Sequence, residues 1–255
     1  MINEIKFPDS IKLLKSKGFR NIGLDFGALK NYSIEEVKQF IHENEVNPVS
    51  LEVAGILKKS YTAWVEDVRH GISVCSELGI NKLLIIASPM GCDSFATSLL
   101  HLKKGLNEVL PLAEKNNITL LIEPLHPIYS HLSIFTKFST ALELVKEIEH
   151  PCLGLVLDFF HVWWDNDIFS IIPQSIPYLG AVHISDWGKE KQNLLDRDLI
   201  GEGIIPISNL LKCINTSGYK GLYEIEILSD FWSSRKEDLL GIIREELEVL
   251  EEILL

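Results

Sequence analysis

The chain has 255 residues, 46% of them hydrophobic, enough for a sizeable core and for one domain over residues 1–255. Its 36 acidic and 24 basic residues give a formal net charge of -12, which argues against the basic footprint of a duplex-nucleic-acid binder and for a small-molecule partner. No run reaches the roughly 18 apolar residues of a membrane span, the start MINEIKFPDSIKLLKSKG lacks a continuous apolar signal core, and Cys75, Cys92, Cys152 and Cys213 show no CxxC, so free thiols in a cytoplasmic protein are expected.

In chain order, short apolar runs alternate with amphipathic segments. FRNIGLDFG (19–27) reads as a strand, and SIEEVKQFIHEN (33–44) as a helix. Ser33 is its N-cap and Glu36 stands three residues on, a capping-box signature. NPVSLEVAG (47–55) is the next strand; the helix AWVEDVRHGISVCSELG follows and Gly79 closes it. KLLIIAS (82–88) is a strand, and SFATSLLHLKKGLNEVLPLAEKNN is helical, with Pro111 either kinking it or starting a new piece. ITLLIEP (118–124) is a strand, TALELVKEIE (140–149) a helix, and CLGLVLD (152–158) and LGAVHISD (179–186) are strands. SNLLKCINTSG (208–218) is helical, GLYEIEIL (221–228) is a strand, and SRKEDLLGIIREELEVLEEILL closes the chain as a helix. INEIKF (2–7) is the candidate eighth strand, ahead of a helix that begins near Asp9.

The strands are continuous apolar runs, as parallel strands covered on both faces should be. Regular strand–helix alternation at this length predicts an α/β fold, a (β/α)8 TIM barrel, with a doubly wound open sheet as the alternative. No GxGxxG or GxxxxGK[ST] loop follows an early strand, which counts against the nucleotide-binding versions.

In a barrel, chemistry sits at the C-terminal strand ends. The last four strands end in Glu123, Asp158, His183 and Glu226. A strand-end carboxylate alone is commonly a helix N-cap; four successive strands repeating the pattern point to a site. Three carboxylates within a few Å repel unless one is protonated or a cation intervenes. Oxygen ligands with one imidazole suit Mn, Mg, Co, Zn or Fe as a divalent ion. Around them lie His161, three residues past Asp158, and Asp186, three past His183. The loop DRDLIGEGIIP (196–206) offers Asp196, Arg197 and Glu202, with Arg197 suited to clamp an anionic or hydroxylated group. Trp163, Trp164, Trp187 and Trp232 all follow strand ends, where indole faces suit the C–H faces of sugars and cyclitols; Trp64 belongs to an ordinary helix. Leu239, Leu240, Ile243, Leu247, Leu250 and Ile253 form the apolar stripe of the last helix, for packing on the barrel or for a homodimer contact.

Five segments, IEPLHPIYS (122–130), LDFFHVWWD (157–165), HISDW (183–187), DRDLIGEGIIP and GYKGLYEIEI (218–227), together resemble the xylose-isomerase-like barrels. These are the sugar phosphate isomerase/epimerase family, related to family 2 apurinic endonucleases, ketose 3-epimerases and inosose isomerases and dehydratases. The resemblance covers the second half of the chain. It implies one divalent metal held by Glu123, Asp158, His183 and Glu226. It also implies Glu123 and Glu226 as an acid/base pair that moves a proton next to a carbonyl through an enediolate. His161 resembles a substrate-contacting histidine, and His126, Arg197, Trp163, Trp164, Trp187, Lys189 and Glu202 complete the substrate-binding candidates. The substrate expected is a sugar, sugar acid or cyclitol. A lyase or dehydratase acting on a keto-sugar or keto-cyclitol is the alternative, and an endonuclease a more distant one.

The chain also departs from its relatives. Tyr129 stands where epimerases often carry a further glutamate, and Lys189 where they carry a substrate-binding arginine. The early strand ends SLEVAG and IIASPMG lack the zinc-binding histidines of the endonucleases, whose later Asp-Arg-His is here Asp196-Arg197-Asp198.

Overall fold

The structure, a computed structural model, describes residues 6–92, 94–189, 196–229, 232 and 235–254. Seven parallel strands follow one another in chain order around a nearly closed barrel. They are β1 (Asn21–Asp25), β2 (Asn47–Ala54), β3 (Lys82–Ile85), β4 (Thr119–Ile122), β5 (Leu153–Asp158), β6 (Leu179–Ile184) and β7 (Leu222–Ile225). The helices between and around them are α1 (Phe7–Ser16), α2 (Ile34–Asn44), α3 (Tyr61–Leu78), α4 (Phe95–Lys115), α5 (Phe138–Ile148), α6 (Phe159–Val162), α7 (Ile168–Ser175), α8 (Ile207–Thr216) and α9 (Lys236–Leu254). None of them is long and apolar enough to cross a membrane, among the described residues.

The eighth strand expected over 2–7 falls largely on residues 1–5, outside the described ones. Phe7 belongs to α1, which opens two residues earlier than expected, because Pro8 in its first turn is pre-set for a helix start. Elsewhere local chemistry matches local structure. Ser33 and Glu36 form a reciprocal capping box at the start of α2. Gly79 takes the left-handed conformation that ends α3. Helix α4 runs unbroken through Pro111; its buried flank of Leu106, Val109, Leu110 and Ala113 holds it against the barrel across the missing hydrogen bond.

Strand side chains alternate between two apolar environments. Leu83, Ile85, Leu120, Ile122, Leu155, Leu157, Val182 and Ile184 point outward into the main core beneath the helices. Each such buried side chain contributes about 1.5–3 kcal/mol. Leu84, Leu121, Val156 and Ala181 point inward, with Leu222 against them, and plug the barrel. Two residues further along the same inner face the chain turns polar, at Glu123, Asp158, His183 and Glu224. The alternation that builds the plug therefore also aims the polar layer above it.

The last helix packs on the barrel. Leu239, Leu240 and Ile243 lie with Leu199 and Ile227 against Leu13, Leu14 and Phe19, with Leu247 at the edge. Leu250 joins the main core, and the Ile253 side chain lies outside the described ones. Trp232 packs in this cluster rather than with the other strand-end tryptophans.

Candidate active site

Glu123 and Glu226 directly follow β4 and β7, and their backbone N–H groups continue the ladders to Ile85 and Ile184. Asp158 ends β5 opposite His183 of β6. One ligand atom from each of the four residues lies within 4.8 Å of all the others. His183 Nδ1 is 3.0 Å from Glu226 Oε2 and 3.4 Å from Glu123 Oε1. Glu123 Oε1 and Asp158 Oδ2 are buried and make no hydrogen bond among the described residues. An isolated buried carboxylate oxygen is costly, so the donor set and its orphaned oxygens fit a divalent cation.

Asp158 serves two roles with its two oxygens. Oδ1 accepts the Phe160 N–H at 2.8 Å and caps α6. Oδ2 faces the Arg197 guanidinium at 3.0 Å, an ion contact without hydrogen-bond geometry. Arg197 itself is buried; its Nη1 donates to Glu226 Oε2 at 2.8 Å and to the Glu226 carbonyl at 3.2 Å. Its plane lies over the Phe160 ring, 4.8 Å from the centroid. Arg197 thus holds two of the converging carboxylates before it meets any substrate.

The charges decide protonation. Burial pushes the Asp158 carboxyl up to about 7, against the pull of Arg197. Burial also disfavours the Glu226 anion, but Arg197 and His183 outweigh it and hold Glu226 well below the usual carboxylate range. Burial opposes a charge on His183, yet Glu123, Glu224 and Glu226 raise it well above an ordinary histidine. Burial and then Arg197 keep His161 neutral. Its Nδ1 accepts the His126 N–H at 3.1 Å, so the ring proton sits on Nε2. That nitrogen stands 3.4 Å from Arg197 Nη2 and 3.6 Å from Asp158 Oδ2.

Aromatic rings wall one side. Trp187 stacks on Phe160 at 4.8 Å and meets His126 at 4.9 Å and Trp163 at 5.7 Å. Trp164 meets His126 edge-on and donates its indole N–H to the His161 carbonyl. Lys189 and Glu202 are exposed, and no described contact joins either to the four converging residues. Tyr129 is buried beside His161, ring edge to ring face.

Asp186 organises the loop that carries Arg197. Its Oδ1 accepts the N–H groups of Trp187 and Ile205, and its Oδ2 those of Gly201 and Gly203. Bridges Asp186–Asp198 and Gly188–Gly203 clasp the loop's two sides. Helix α9 adds Glu246, whose Oε2 is buried and makes no hydrogen bond among the described residues. Burial pushes Glu246 up to about 7, with Glu202, Asp198 and Asp186 adding to the rise and the Ile200 N–H opposing it. A raised carboxyl takes up a proton on folding, so stability falls as pH climbs from about 4.5 through 7. Glu246→Gln is expected to stabilise the protein by about 1 kcal/mol at pH 8, allowing for the group's partial exposure, and not at pH 4. Urea unfolding at the two pH values measures it; an equal effect at both counts against the assignment.

Two site residues are absent from the strand-end reading. Glu52 on β2 and Glu224 on β7, the latter the register partner of His183, lie beside the imidazole, whose Nε2 is 3.9 Å and 3.6 Å from their Oε1 atoms. Glu224 stands two residues before Glu226, and that spacing alone puts both on one strand face.

The profile of the family described as "Xylose isomerase-like TIM barrel" matches residues 11–253. Among curated proteins, the chain is 28% identical over 139 residues to L-ribulose-5-phosphate 3-epimerase UlaE of Shigella boydii serotype 18, covering 54% of this chain and 45% of that one. It is also 28% identical over 138 residues to the Escherichia coli K12 protein of the same name, covering 53% and 44%. The match therefore spans less than half the length of these relatives. Among solved structures, a protein from Sinorhizobium meliloti 1021 superposes with a TM-score of 0.84 at 23% identity, covering 96% of this chain and 94% of that one. The IOLI protein, with a bound zinc atom, gives 0.81 at 16% identity, covering 98% and 93%. A D-psicose 3-epimerase crystallised with D-fructose gives 0.78 at 19% identity, covering 99% and 95%.

Proposed function

Since the chain belongs to the xylose isomerase-like TIM-barrel family, we propose that it is a sugar isomerase or epimerase dependent on one divalent metal ion. The observation that carries this reading is the convergence of Glu123, Asp158, His183 and Glu226 at four successive strand ends, with ligand atoms within 4.8 Å of one another. The epimerases among its sequence and structural relatives favour a carbohydrate substrate.

Glu123, Asp158, His183 and Glu226 would hold the ion. When bound, it supplies Lewis-acid polarisation of a substrate carbonyl. Glu123 and Glu226 approach the site from strands β4 and β7 and form the acid/base pair. One removes the proton from the carbon next to the carbonyl, and the other returns a proton to the enediolate. Arg197 and His183 keep Glu226 anionic, the state a base needs at the outset. Arg197 and the His161 Nε2–H face the hydroxyls, and Trp164, Trp187 and His126 cover a C–H face and exclude water.

The test is metal analysis followed by a screen of ketoses, their phosphates and inososes in deuterated water. One ion per chain is expected, with deuterium entering the substrate carbon; a chelator abolishes exchange and added Mn2+ restores it. Net loss of water from the substrate would instead identify a lyase. Three ions per chain with cleavage of abasic DNA would identify an endonuclease.

A further inference from the structure

The polar layer does not stop at the four strand ends. His183 turns Nδ1 to Glu123 and Glu226, and Nε2 toward Glu224 of the neighbouring strand and Glu52 of β2. That nitrogen is buried and makes no hydrogen bond among the described residues. Below it lies the apolar plug of Leu84, Leu121, Val156 and Ala181, which offers no polar side chain. The nearest carboxylate oxygens on this side are Glu224 Oε1 at 3.6 Å and Glu52 Oε1 at 3.9 Å, and Glu224 Oε1 also makes no hydrogen bond among the described residues.

The pair is built in. The Ser50 hydroxyl lies 2.8 Å from Glu224 Oε2 and 3.0 Å from Glu52 Oε1. It ties down one oxygen of Glu224 and leaves the other facing the imidazole. On β1, Gly23 makes the room: a Cβ there would stand 2.7 Å from Glu52 Oε1, 2.8 Å from Glu224 Oε2 and 2.9 Å from Ser50 Oγ. Glycine inside a strand weakens it, and close approach by another group is a usual reason for one.

We propose that Glu224, held by Ser50 and Glu52, is a positioning residue for the metal-binding imidazole. It accepts the Nε2–H of His183 and so keeps the Nδ1 lone pair free for the ion that Glu123, Asp158 and Glu226 would share. This rests on the one-metal reading above. A metal-binding histidine needs its second nitrogen fixed, or the ring can turn or carry its proton on the wrong atom. At 3.6 Å the contact is longer than a formed hydrogen bond; a sub-ångström shift of the Glu224 carboxylate closes it.

The test is isothermal titration of the metal-stripped full chain with Mn2+, read alongside thermal unfolding in chelator. Wild type is expected to take up one ion. Glu224→Met, which keeps the volume and removes the acceptor, should bind that ion about 10- to 100-fold more weakly. Glu224→Gln keeps an acceptor oxygen and should return to within a few-fold of wild type. Gly23→Ala should weaken binding in the same direction by displacing the carboxylate ends, without touching any ligand. The melting temperature in chelator should stay near that of wild type in all three, which separates positioning from general damage.

Glu224→Met binding as tightly as wild type overturns the proposal and leaves the metal centre standing. A second equivalent of ion, lost in Glu224→Met, overturns it in favour of a second ion held by Glu52 and Glu224. A wild type that takes up no ion overturns both this proposal and the metal reading beneath it.

Discussion

Glu123→Gln and Glu226→Gln are each expected to lower deuterium exchange into substrate by about 10^2- to 10^4-fold, the usual contribution of a positioned acid or base. The change is nearly isosteric, so Glu123→Gln should move the melting temperature little, whereas Glu226→Gln also takes a partner from the buried Arg197 and should lower it. Each residue is also a proposed ligand, so the comparison belongs at saturating Mn2+, with bound metal confirmed. Under those conditions the loss should fall on kcat more than on KM, because the amide still occupies the site but neither takes nor gives the proton. Either variant turning over at the wild-type rate with metal bound would remove that residue from the acid/base pair.

The second large effect is on stability. Arg197 is buried, with Nη1 3.0 Å from Asp158 Oδ2 and 2.8 Å from Glu226 Oε2. Arg197→Met keeps the stem packed over Phe160 and deletes the charge. Removing one partner of a buried ion pair costs about 3–5 kcal/mol, because the other charge stays buried without compensation. For a chain of this size that is roughly a 10 °C fall in melting temperature in chelator. A divalent ion supplies positive charge to the same two carboxylates, so Arg197→Met should bind Mn2+ more tightly than wild type, and at saturating ion the loss should shrink by about 1.4 kcal/mol for each tenfold gain in affinity. An equal loss with and without the ion would mean that guanidinium and ion do not serve the same carboxylates.

Much of this architecture is legible in the residues because its signals are local. Ser33 with Glu36, and Gly79 after Leu78, announce helix ends through contacts within a few residues. The four strand-end residues stand out because each interrupts an apolar run. Glu52 and Glu224 escape that reading for a physical reason. Both sit inside strands; Glu224 is placed by the β6–β7 register, directly opposite His183, and only the curling of the sheet into a barrel brings Glu52 of β2 to the same imidazole. The two helices between β5 and β6 are equally hard to see. FFHVWWD continues the apolar run of β5, and what starts α6 is the Asp158 side chain bonding the Phe160 N–H. Lys189 and Glu202 are a different case. Their positions in the motifs suggest contact with substrate; both are exposed, and no described contact joins them to the converging carboxylates.

The clasp at Asp186 has a consequence for how such a protein diversifies. Bridges Asp186–Asp198 and Gly188–Gly203, with the four N–H groups gathered on one carboxylate, fix both sides of the excursion that follows β6. Arg197 lies on the return side, pinned through its own N–H to the Leu228 carbonyl. A change outside the clasp therefore leaves Arg197 against Asp158 and Glu226, and those two carboxylates keep their cation. For an engineer, the clasp is the part to leave untouched.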